Sequence, residues 1–321
     1  MLLVSFEREL EKLVRNPGQF HQLESRYRLL FMPSWTGLFS PPLLRLAALS
    51  RQPFHVMPVN QGERALCHRL GPLCQPLPFN AASWVNEHFY ATEPLERDID
   101  CLMVANFAEF KRHWILFKAL SQLPESVTAT CVGVPWGGRT RESLLREAAL
   151  YGVAHRVEVI ENPPQEELRR YFKRAKLFCA LSFREGSFIA VAEALMSGTP
   201  VVMFGGAHIG SKERIHDHNG VLVDSVEGLR KAIVRFRKGS DYSRIRDEAV
   251  TDFSATASCE RLNALLREHT LGEGGHWSDD IRGFYSMRLG FYYRQPEDPA
   301  VVCLEEDERW LSGIGIRVLP H

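Results

Sequence analysis

The stretch Leu181-Ser-Phe-Arg-Glu-Gly-Ser-Phe-Ile-Ala-Val-Ala-Glu-Ala-Leu-Met-Ser-Gly-Thr-Pro-Val-Val202 decides the fold of this chain. The apolar residues 178–181 predict the end of a strand, and Glu185-Gly186 predict a short turn after it. Good helix formers begin at Ser187 and continue until Gly198, which predicts the end of a helix. A strand that turns through glycine into a helix leaves backbone N–H groups unpaired at the positive end of the helix dipole. Such a turn is a ready site for phosphate.

Two carboxylates flank this predicted phosphate site, Glu185 before the helix and Glu193 within it. At about 1.5 Å rise per residue they lie roughly 12 Å apart along the helix axis. That distance matches the span from the sugar to the ribose of a nucleotide-sugar, with the diphosphate between them at the start of the helix. Pro200 then opens an apolar strand, residues 201–204, so the order is strand, turn, helix, strand.

The whole pattern resembles the retaining glycosyltransferases of the GT-B fold, most closely glycosyltransferase family 4. Their signature is Glu-x7-Glu within Ser-x-x-Glu-Gly, four apolar or small positions, x-x-Glu-Ala-(Leu/Met)-x-x-Gly-x-Pro-Val-Val. The chain matches this signature at Ser182, Glu185, Gly186, Glu193, Ala194, Leu195, Gly198, Pro200, Val201 and Val202. The alternative is an ordinary helix between two buried strands with exposed glutamates.

The resemblance implies roles for these residues. Glu185 is expected beside the transferred sugar as a catalytic residue, and Glu193 is expected to accept hydrogen bonds from the ribose hydroxyls. The backbone amides of residues 186–188 are expected at the diphosphate. The donor-binding residues implied in this stretch are Ser182, Gly186, Ser187, Phe188 and Glu193. The resemblance also implies that no metal or other cofactor is needed.

A second stretch, residues 104–113, matches the place where family 4 enzymes have a Gly-Arg pair and then a Lys-Gly pair that neutralise the diphosphate. Lys111 occupies the lysine position and is the second expected catalytic residue, but Asn106 stands where arginine is usual. Arg112 replaces the second glycine and, with Arg184, is a candidate substitute for the missing arginine. The alternative interpretation makes Lys111 and Arg112 the solvated start of a helix, although cations there oppose the helix dipole.

The resemblance continues beyond these two stretches. Gly133 occupies the slot of the family's Val-Gly-x-Gly turn, and Asn162 lies near its nucleobase pocket, so both are expected to bind the donor. By contrast, His216-Asp-His218 has no cysteine or third histidine nearby in the sequence. We therefore expect a surface turn there rather than a set of metal ligands.

Strands alternate with helices from about residue 98, which predicts an α/β fold with a doubly wound, Rossmann-like parallel sheet. In such sheets ligands bind beyond the carboxyl ends of the strands. The predicted strands cover residues 99–105, 128–134, 157–160, 177–181, 201–204 and 220–223. Besides the helix of the motif, the predicted helices cover residues 111–123, 141–151, 165–174 and 226–237.

Three segments are expected. Residues 1–95 form a reduced or partial acceptor-side α/β domain, with helices at 6–14 and 42–50 and strands at 28–32 and 54–59. Residues 96–252 form the nucleotide-sugar-binding domain of GT-B type. Residues 253–321 contain a helix at 257–268 and an aromatic-rich tail returning to the first domain. The first segment lacks the glycine-rich loop of a full GT-B enzyme, so it is either reduced or lacks its front portion.

Composition sets limits on the function. The chain has 321 residues, is 45% hydrophobic, and balances 39 basic with 39 acidic residues, so no overall charge indicates nucleic acid or an anionic membrane. No apolar run approaches the roughly 20 residues of a membrane span. The N-terminus meets charge too early for a signal peptide. The seven scattered cysteines fit reduced thiols. We therefore expect a cytoplasmic protein, with peripheral contact at the inner face of the membrane left open.

The predicted function is retaining transfer of a sugar from a nucleotide-sugar donor to a saccharide or lipid-linked acceptor, in the synthesis of surface polysaccharide or glycoconjugate. This substrate class rests on the resemblance. One alternative is a non-catalytic nucleotide-sugar-binding protein or partner subunit of the same fold. Another is a GT-B-fold sugar phosphorylase, in which inorganic phosphate would replace the nucleotide.

Overall fold

The computed structural model describes residues 1–34, 36–91, 95–281, 286–287, 290–291 and 299–316. It divides into two compact units, each with its own parallel sheet. The first unit comprises Met1–Asn86 and Ala255–His321, and the second comprises Glu87–Ser254.

The first unit contains a four-stranded parallel sheet in the order β1-β2-β3-β4. Two of its helices start where the sequence favours a start, because Pro17 and Pro41 each stand at a first helical position. The elements are β1 (Leu2–Ser5), α1 (Glu7–Arg15), α2 (Pro17–Arg26), β2 (Leu29–Met32), α3 (Pro41–Leu49), β3 (Phe54–Val56), α4 (Gln61–Leu66) and β4 (Cys74–Pro76).

The sequence pattern predicted half of these elements and missed the other half. The predicted strands at 28–32 and 54–59 correspond to β2 and β3, and the predicted helices at 6–14 and 42–50 correspond to α1 and α3. The pattern missed β1, β4, α2 and α4. Both missed strands are short edge strands, and β4 ends in a proline, so neither shows the alternation that identifies a strand.

The second unit contains a six-stranded, entirely parallel sheet in the order β10-β9-β8-β5-β6-β7. Buried residues from all six of its strands, together with side chains of the surrounding helices, form its main apolar core. Its strands are β5 (Cys101–Val104), β6 (Ala129–Gly133), β7 (Val157–Glu161), β8 (Phe178–Ala180), β9 (Val201–Phe204) and β10 (Gly220–Val223). Its helices are α5 (His113–Leu120), α6 (Arg141–Leu150), α7 (Gln165–Arg174), α8 (Ile189–Met196), α9 (Val226–Phe236) and α10 (Tyr242–Phe253). The predicted doubly wound α/β sheet is therefore confirmed, with α10 as an additional helix.

The C-terminal segment adds α11 (Ala255–Gly272), β11 (Ser286–Met287), β12 (Gly290–Phe291) and α12 (Pro299–Gly313). Leu262 and Leu266 of α11 pack with Leu30 and Met57 of the first unit, and Trp310 of α12 packs against that unit's other core cluster. Some aromatic residues of the predicted tail belong to the described part of the chain and others do not. Phe284, Tyr285, Tyr292 and Tyr293 lie outside the described residues.

None of the helices within the described ranges has both the length and the apolar character that a membrane crossing requires.

The glycine that ends α8 is required by both its backbone and its surroundings. Gly198 has φ +77, and an added Cβ would overlap the carbonyl oxygen of Tyr242. The N–H of Gly198 donates to Leu195 at 2.9 Å, and the N–H of Thr199 donates to Ala194 at 2.8 Å. This is the Schellman arrangement, which satisfies carbonyl groups at the helix end.

We expect Gly198→Ala to lower the free energy of unfolding more than Gly152→Ala does. Gly152 has φ +72 but open space around it, so its replacement costs only the left-handed backbone, about 1 kcal/mol. The overlap with Tyr242 adds about 1–3 kcal/mol at Gly198. Chemical denaturation of both variants measures the difference, and equal losses would show that the backbone at Tyr242 moves aside freely.

Candidate active site

The candidate site lies at the point where the strand order of the second unit reverses. The chain passes from β5 to β6 and β7 on one side of the sheet, and from β8 to β9 and β10 on the other. The loops after the neighbouring strands β5 and β8 therefore diverge and leave a crevice between them. The two motifs identified in the sequence follow these two strands, at residues 105–112 and 181–188.

An ion pair joins the two loops. The Nζ atom of Lys111 lies 2.5 Å from Oε1 of Glu185, although the residues are far apart in the sequence. Their side chains are only 10% and 13% exposed. The same Nζ lies 4.6 Å from the ring centre of Phe188 and 5.2 Å from that of Phe110. Because it is buried against a carboxylate and two aromatic faces, Lys111 is not the solvated helix residue of the alternative interpretation.

The start of α5 differs from the prediction of a helix over 111–123. A short 3₁₀ turn, Glu109–Lys111, comes first, and Arg112 then adopts a left-handed backbone with φ 63. The α-helix begins only at His113 and ends at Leu120. The break at Arg112 turns its guanidinium over the ring of Phe204, 5.2 Å from the ring centre. Burial lowers the pKa of Arg112.

The turn before α8 is tied to the loop after β9. The N–H of Glu185 donates to His208 at 3.1 Å, and the N–H of Gly210 donates to Gly186 at 2.9 Å. The hydroxyl of Ser211 donates to the carbonyl groups of Ser187 and Phe188. These bonds fix the position of Glu185 by backbone contacts rather than by its side chain.

The helix predicted from Ser187 begins two residues later, at Ile189, because Phe188 has a left-handed backbone with φ 51. Ser187 is buried, and its carbonyl accepts from the loop after β9. Ser182 is completely buried at the end of β8, and its hydroxyl has no hydrogen-bond partner among the described residues. The predicted turn between strand and helix is therefore present, with the helix starting at Ile189, and phosphate binding there stays a prediction.

Glu193 lies on α8, where it meets a residue that the sequence pattern did not identify. Tyr90 is 4% exposed and its phenol forms a hydrogen bond with the Glu193 carboxylate. Burial, followed by the charge of Glu193, raises the pKa of Tyr90 well above its usual value. The side chain of Gln165, the first residue of α7, contacts the same phenol. No local signal marks Tyr90, since it precedes the first strand of its unit.

Asn106, Gly133 and Asn162 follow or end β5, β6 and β7, so they lie at the same carboxyl edge as the ion pair. The Oδ1 atom of Asn106 accepts from the N–H of Ala108 at 3.4 Å. An added Cβ at Gly133 would overlap the carbonyl oxygen of Ala105, which explains the glycine. Asn162 has φ 53 and donates its N–H to Gly133 at 2.8 Å. These residues shape the edge through backbone geometry.

His113 is a buried titratable residue beside this site. It is 1% exposed, and neither ring nitrogen has a hydrogen-bond partner among the described residues. Burial, with smaller contributions from the charges of Arg139 and Lys111, lowers the pKa of His113 from 6.5 to about 3. The folded protein therefore holds this imidazole neutral at pH values where the unfolded chain protonates it.

We expect His113→Phe to reduce the pH dependence of stability between pH 6.5 and about 3. In the wild type the unfolded chain takes up a proton at His113 in this window, whereas the folded protein does not. As the pH falls through the window, the free energy of unfolding therefore decreases by about 1.4 kcal/mol per pH unit. Phenylalanine removes that contribution and leaves no unpaired nitrogen. Denaturation across the window measures both slopes. His55, whose pKa burial lowers to about 4, contributes to both proteins equally, so identical slopes would contradict the assignment.

Comparison with known proteins identifies the family. The model of the family described as "Glycosyl transferases group 1" matches residues 86–250. The chain belongs to this family. It is 30% identical over 129 residues to a D-inositol 3-phosphate glycosyltransferase of Corynebacterium diphtheriae, covering 38% of this chain and 30% of the relative. It is 28% identical over 184 residues to the protein of the same name from Corynebacterium efficiens, covering 53% and 43%. The matches thus span less than half the length of these curated relatives.

Solved structures confirm the α/β fold of GT-B type. The fold is similar to that of Anabaena Alr3699/HepE, solved in complex with UDP, with a TM-score of 0.65 and 19% identity over 83% of this chain and 78% of that one. It is also similar to sucrose-phosphate synthase from Thermosynechococcus elongatus, with a TM-score of 0.63 and 18% identity over 84% and 73%.

Proposed function

We propose that this group 1 glycosyltransferase transfers a sugar from a nucleotide-sugar donor, with retention of anomeric configuration, to a saccharide or glycolipid acceptor. One observation carries the proposal. Lys111 and Glu185, which the family motif identifies from two separate stretches, meet at 2.5 Å in the crevice at the switch point of the second unit. Residues 86–250, the part that matches the family, contain both of them.

When the donor binds, its diphosphate would replace the Glu185 carboxylate as the partner of Lys111. A free nucleotide-sugar has two negative charges on its diphosphate, and the leaving nucleoside diphosphate gains more as the bond to the sugar breaks. Lys111 and Arg112 supply positive charge on one side of the crevice, and the first N–H groups of α8 supply hydrogen bonds on the other. Interactions that strengthen as this charge develops lower the barrier to transfer.

Once Lys111 binds the diphosphate, the Glu185 carboxylate is released toward the transferred sugar. Its backbone is held by the loop after β9, so only the side chain has to move when its partner changes. We assign Glu193 to the ribose hydroxyls. The hydrogen bond from Tyr90 orients this carboxylate before the donor arrives, and its remaining lone pairs accept from the ribose.

Uridine diphosphate is the first nucleotide to test, because Alr3699/HepE was solved with UDP and with UDP-glucose. D-Inositol 3-phosphate belongs in the acceptor panel because both curated relatives are named for it. Glycolipid and oligosaccharide acceptors complete the panel. We further propose that transfer needs no metal, so the donor should bind equally well in the presence of a chelator.

Isothermal titration calorimetry with UDP in a chelator tests donor binding and separates the alternatives. Binding of UDP with product formation from a UDP-sugar supports the transferase. Binding without transfer or hydrolysis would indicate a non-catalytic relative. Binding of inorganic phosphate in place of UDP would indicate a phosphorylase.

We expect Lys111→Ala to weaken UDP binding by about 1–3 kcal/mol, the scale of a lost charge-assisted contact. Lys118→Ala is the matched control, because Lys118 is an exposed lysine of the neighbouring helix α5 and should leave affinity unchanged. Calorimetry measures both variants. Unchanged affinity in Lys111→Ala would remove this lysine from the donor site.

We expect the two glutamates to affect different kinetic constants. Glu193→Ala should mainly raise the KM for the donor, because it removes contacts that the donor makes before and during reaction alike. Glu185→Ala should mainly lower kcat, because a carboxylate beside the forming positive charge on the sugar acts most strongly in the transition state. Steady-state kinetics with the donor varied distinguishes the two, and the opposite pattern would mean that the roles are exchanged.

A further inference from the structure

A second polar cluster lies at the opposite edge of the same sheet. Residues 216–219 form the turn that leads into β10, so they lie at its amino end, whereas the donor crevice lies at the carboxyl ends of the strands. The four residues of β10 separate these edges by about 13 Å. The sequence pattern predicts an ordinary surface turn here because it contains only two histidines. The fold adds a carboxylate from α10, Glu248.

The three side chains converge. One ligand atom each from His216, His218 and Glu248 lies within 4.8 Å of the other two. Nε2 of His216 is 3.7 Å from Oε2 of Glu248, and Nδ1 of His218 is 3.3 Å from Oε1 of the same carboxylate. Two ligand atoms at tetrahedral positions around Zn²⁺ are about 3.4 Å apart, since each bond is about 2.1 Å. Small side-chain rotations therefore suffice to place a metal between them.

The side chain of Asn219 holds His216 in place. Oδ1 of Asn219 accepts from the backbone N–H of His216 at 2.9 Å, and Nδ2 of Asn219 donates to the backbone carbonyl of Arg214 at 2.8 Å. These two bonds settle the orientation of the amide, so its Nδ2 also donates to Nε2 of His216, at 2.9 Å. In this contact Nε2 is therefore the acceptor.

A second acceptor, the Glu248 carboxylate, lies near this nitrogen. Oε2 of Glu248 is buried and has no hydrogen-bond partner among the described residues, and it lies on the side of Nε2 of His216. Nε2 already accepts from Asn219, whereas this carboxylate oxygen is withdrawn from water without a donor, which is unfavourable. A cation bound to both atoms would take the place of the Asn219 hydrogen bond at Nε2 and neutralise the carboxylate.

We propose that His216, His218 and Glu248 bind a transition-metal dication of the Zn²⁺ class. Two imidazoles and one carboxylate suit Zn²⁺ and its neighbours in the Irving–Williams series and suit Mg²⁺ or Ca²⁺ poorly. Three protein ligands leave the fourth position to water. The inference is independent of the transfer reaction, which needs no metal in the crevice.

One side chain opposes the metal and provides a sharp test. Nη2 of Arg244 contacts both ring nitrogens of His218, and its Nε lies 2.9 Å from Oε1 of Glu248. Its side chain is 51% exposed, so it can swing into solvent when a metal enters. Its positive charge repels the dication until it does. Removing that charge should therefore tighten binding.

The bound metal would join the turn before β10 to α10. The 3₁₀ segment Gly210–Arg214 lies just before this turn in the sequence. The hydroxyl of its Ser211 donates to the carbonyl groups of Ser187 and Phe188. Metal binding would thus stabilise the segment that supports the donor turn from the far edge of the sheet. Binding to the folded chain alone raises the unfolding temperature as the metal concentration rises.

The test is titration of the untagged full chain with Zn²⁺ by calorimetry, and with Co²⁺ by absorption spectroscopy, both without nucleotide. We expect one ion per chain, visible Co²⁺ bands without a thiolate charge-transfer band, and no binding of Mg²⁺. His216→Gln and His218→Gln should each weaken Zn²⁺ binding at least about tenfold. Arg244→Gln should tighten it severalfold.

His155→Gln is the matched control. His155 also lies beside a carboxylate, 2.8 Å from Glu125, but the pair is exposed and has no second histidine. It should leave Zn²⁺ affinity unchanged, and all the histidine variants should retain the wild-type affinity for UDP. Zn²⁺ affinity that is indifferent to His216→Gln, or a Co²⁺ spectrum with a thiolate band, would overturn the assignment.

Discussion

The reversal of strand order between β5 and β8 is the constraint on which the candidate site depends. All six strands of the second unit run parallel, so every loop that follows a strand emerges at one edge of the sheet. At this single position, the two loops leave in opposite directions and no helix crossover fills the space between them. The Lys111 and Glu185 motifs are separated by three strands in the sequence, and only this topology brings them into contact.

The ion pair across this crevice is poorly suited to a purely structural role. Burying a lysine and a carboxylate removes both from water, and their attraction often fails to offset that loss. The pair is nevertheless nearly enclosed, with two aromatic rings near the ammonium group. A pair that is costly to bury is understandable if, as we propose, Lys111 exchanges Glu185 for a diphosphate when the donor binds.

The sequence was informative where its signal is local. The bounds of β9, β10 and α7 agree with the prediction because apolar runs and helix formers are bounded there by glycine, proline or charge. The starts of α5 and α8 were misplaced because Arg112 and Phe188 adopt left-handed backbones that carry no marker in residues other than glycine.

Contacts between distant segments could not be predicted from one sequence. Tyr90 reaches Glu193, and Glu248 reaches His216, only because the fold brings their elements together. The motif residues of the candidate site could be named beforehand since their spacing reflects a strand-turn-helix unit. Their ion pair could not, since it depends on which strands are neighbours.

The left-handed residues also show where the protein gives up stability. Phe6, Arg112, Asn162 and Phe188 are the non-glycine residues with positive φ within the described ranges. Each follows a parallel strand, at the carboxyl edge of its sheet. An L-residue in this conformation costs about 1–2 kcal/mol. Glycine at these positions would relieve the backbone strain, but it would also give the loops more conformational freedom. At Arg112 and Phe188, which lie in the two loops of the crevice, a more relaxed backbone and a well-ordered crevice therefore make opposite demands on the sequence.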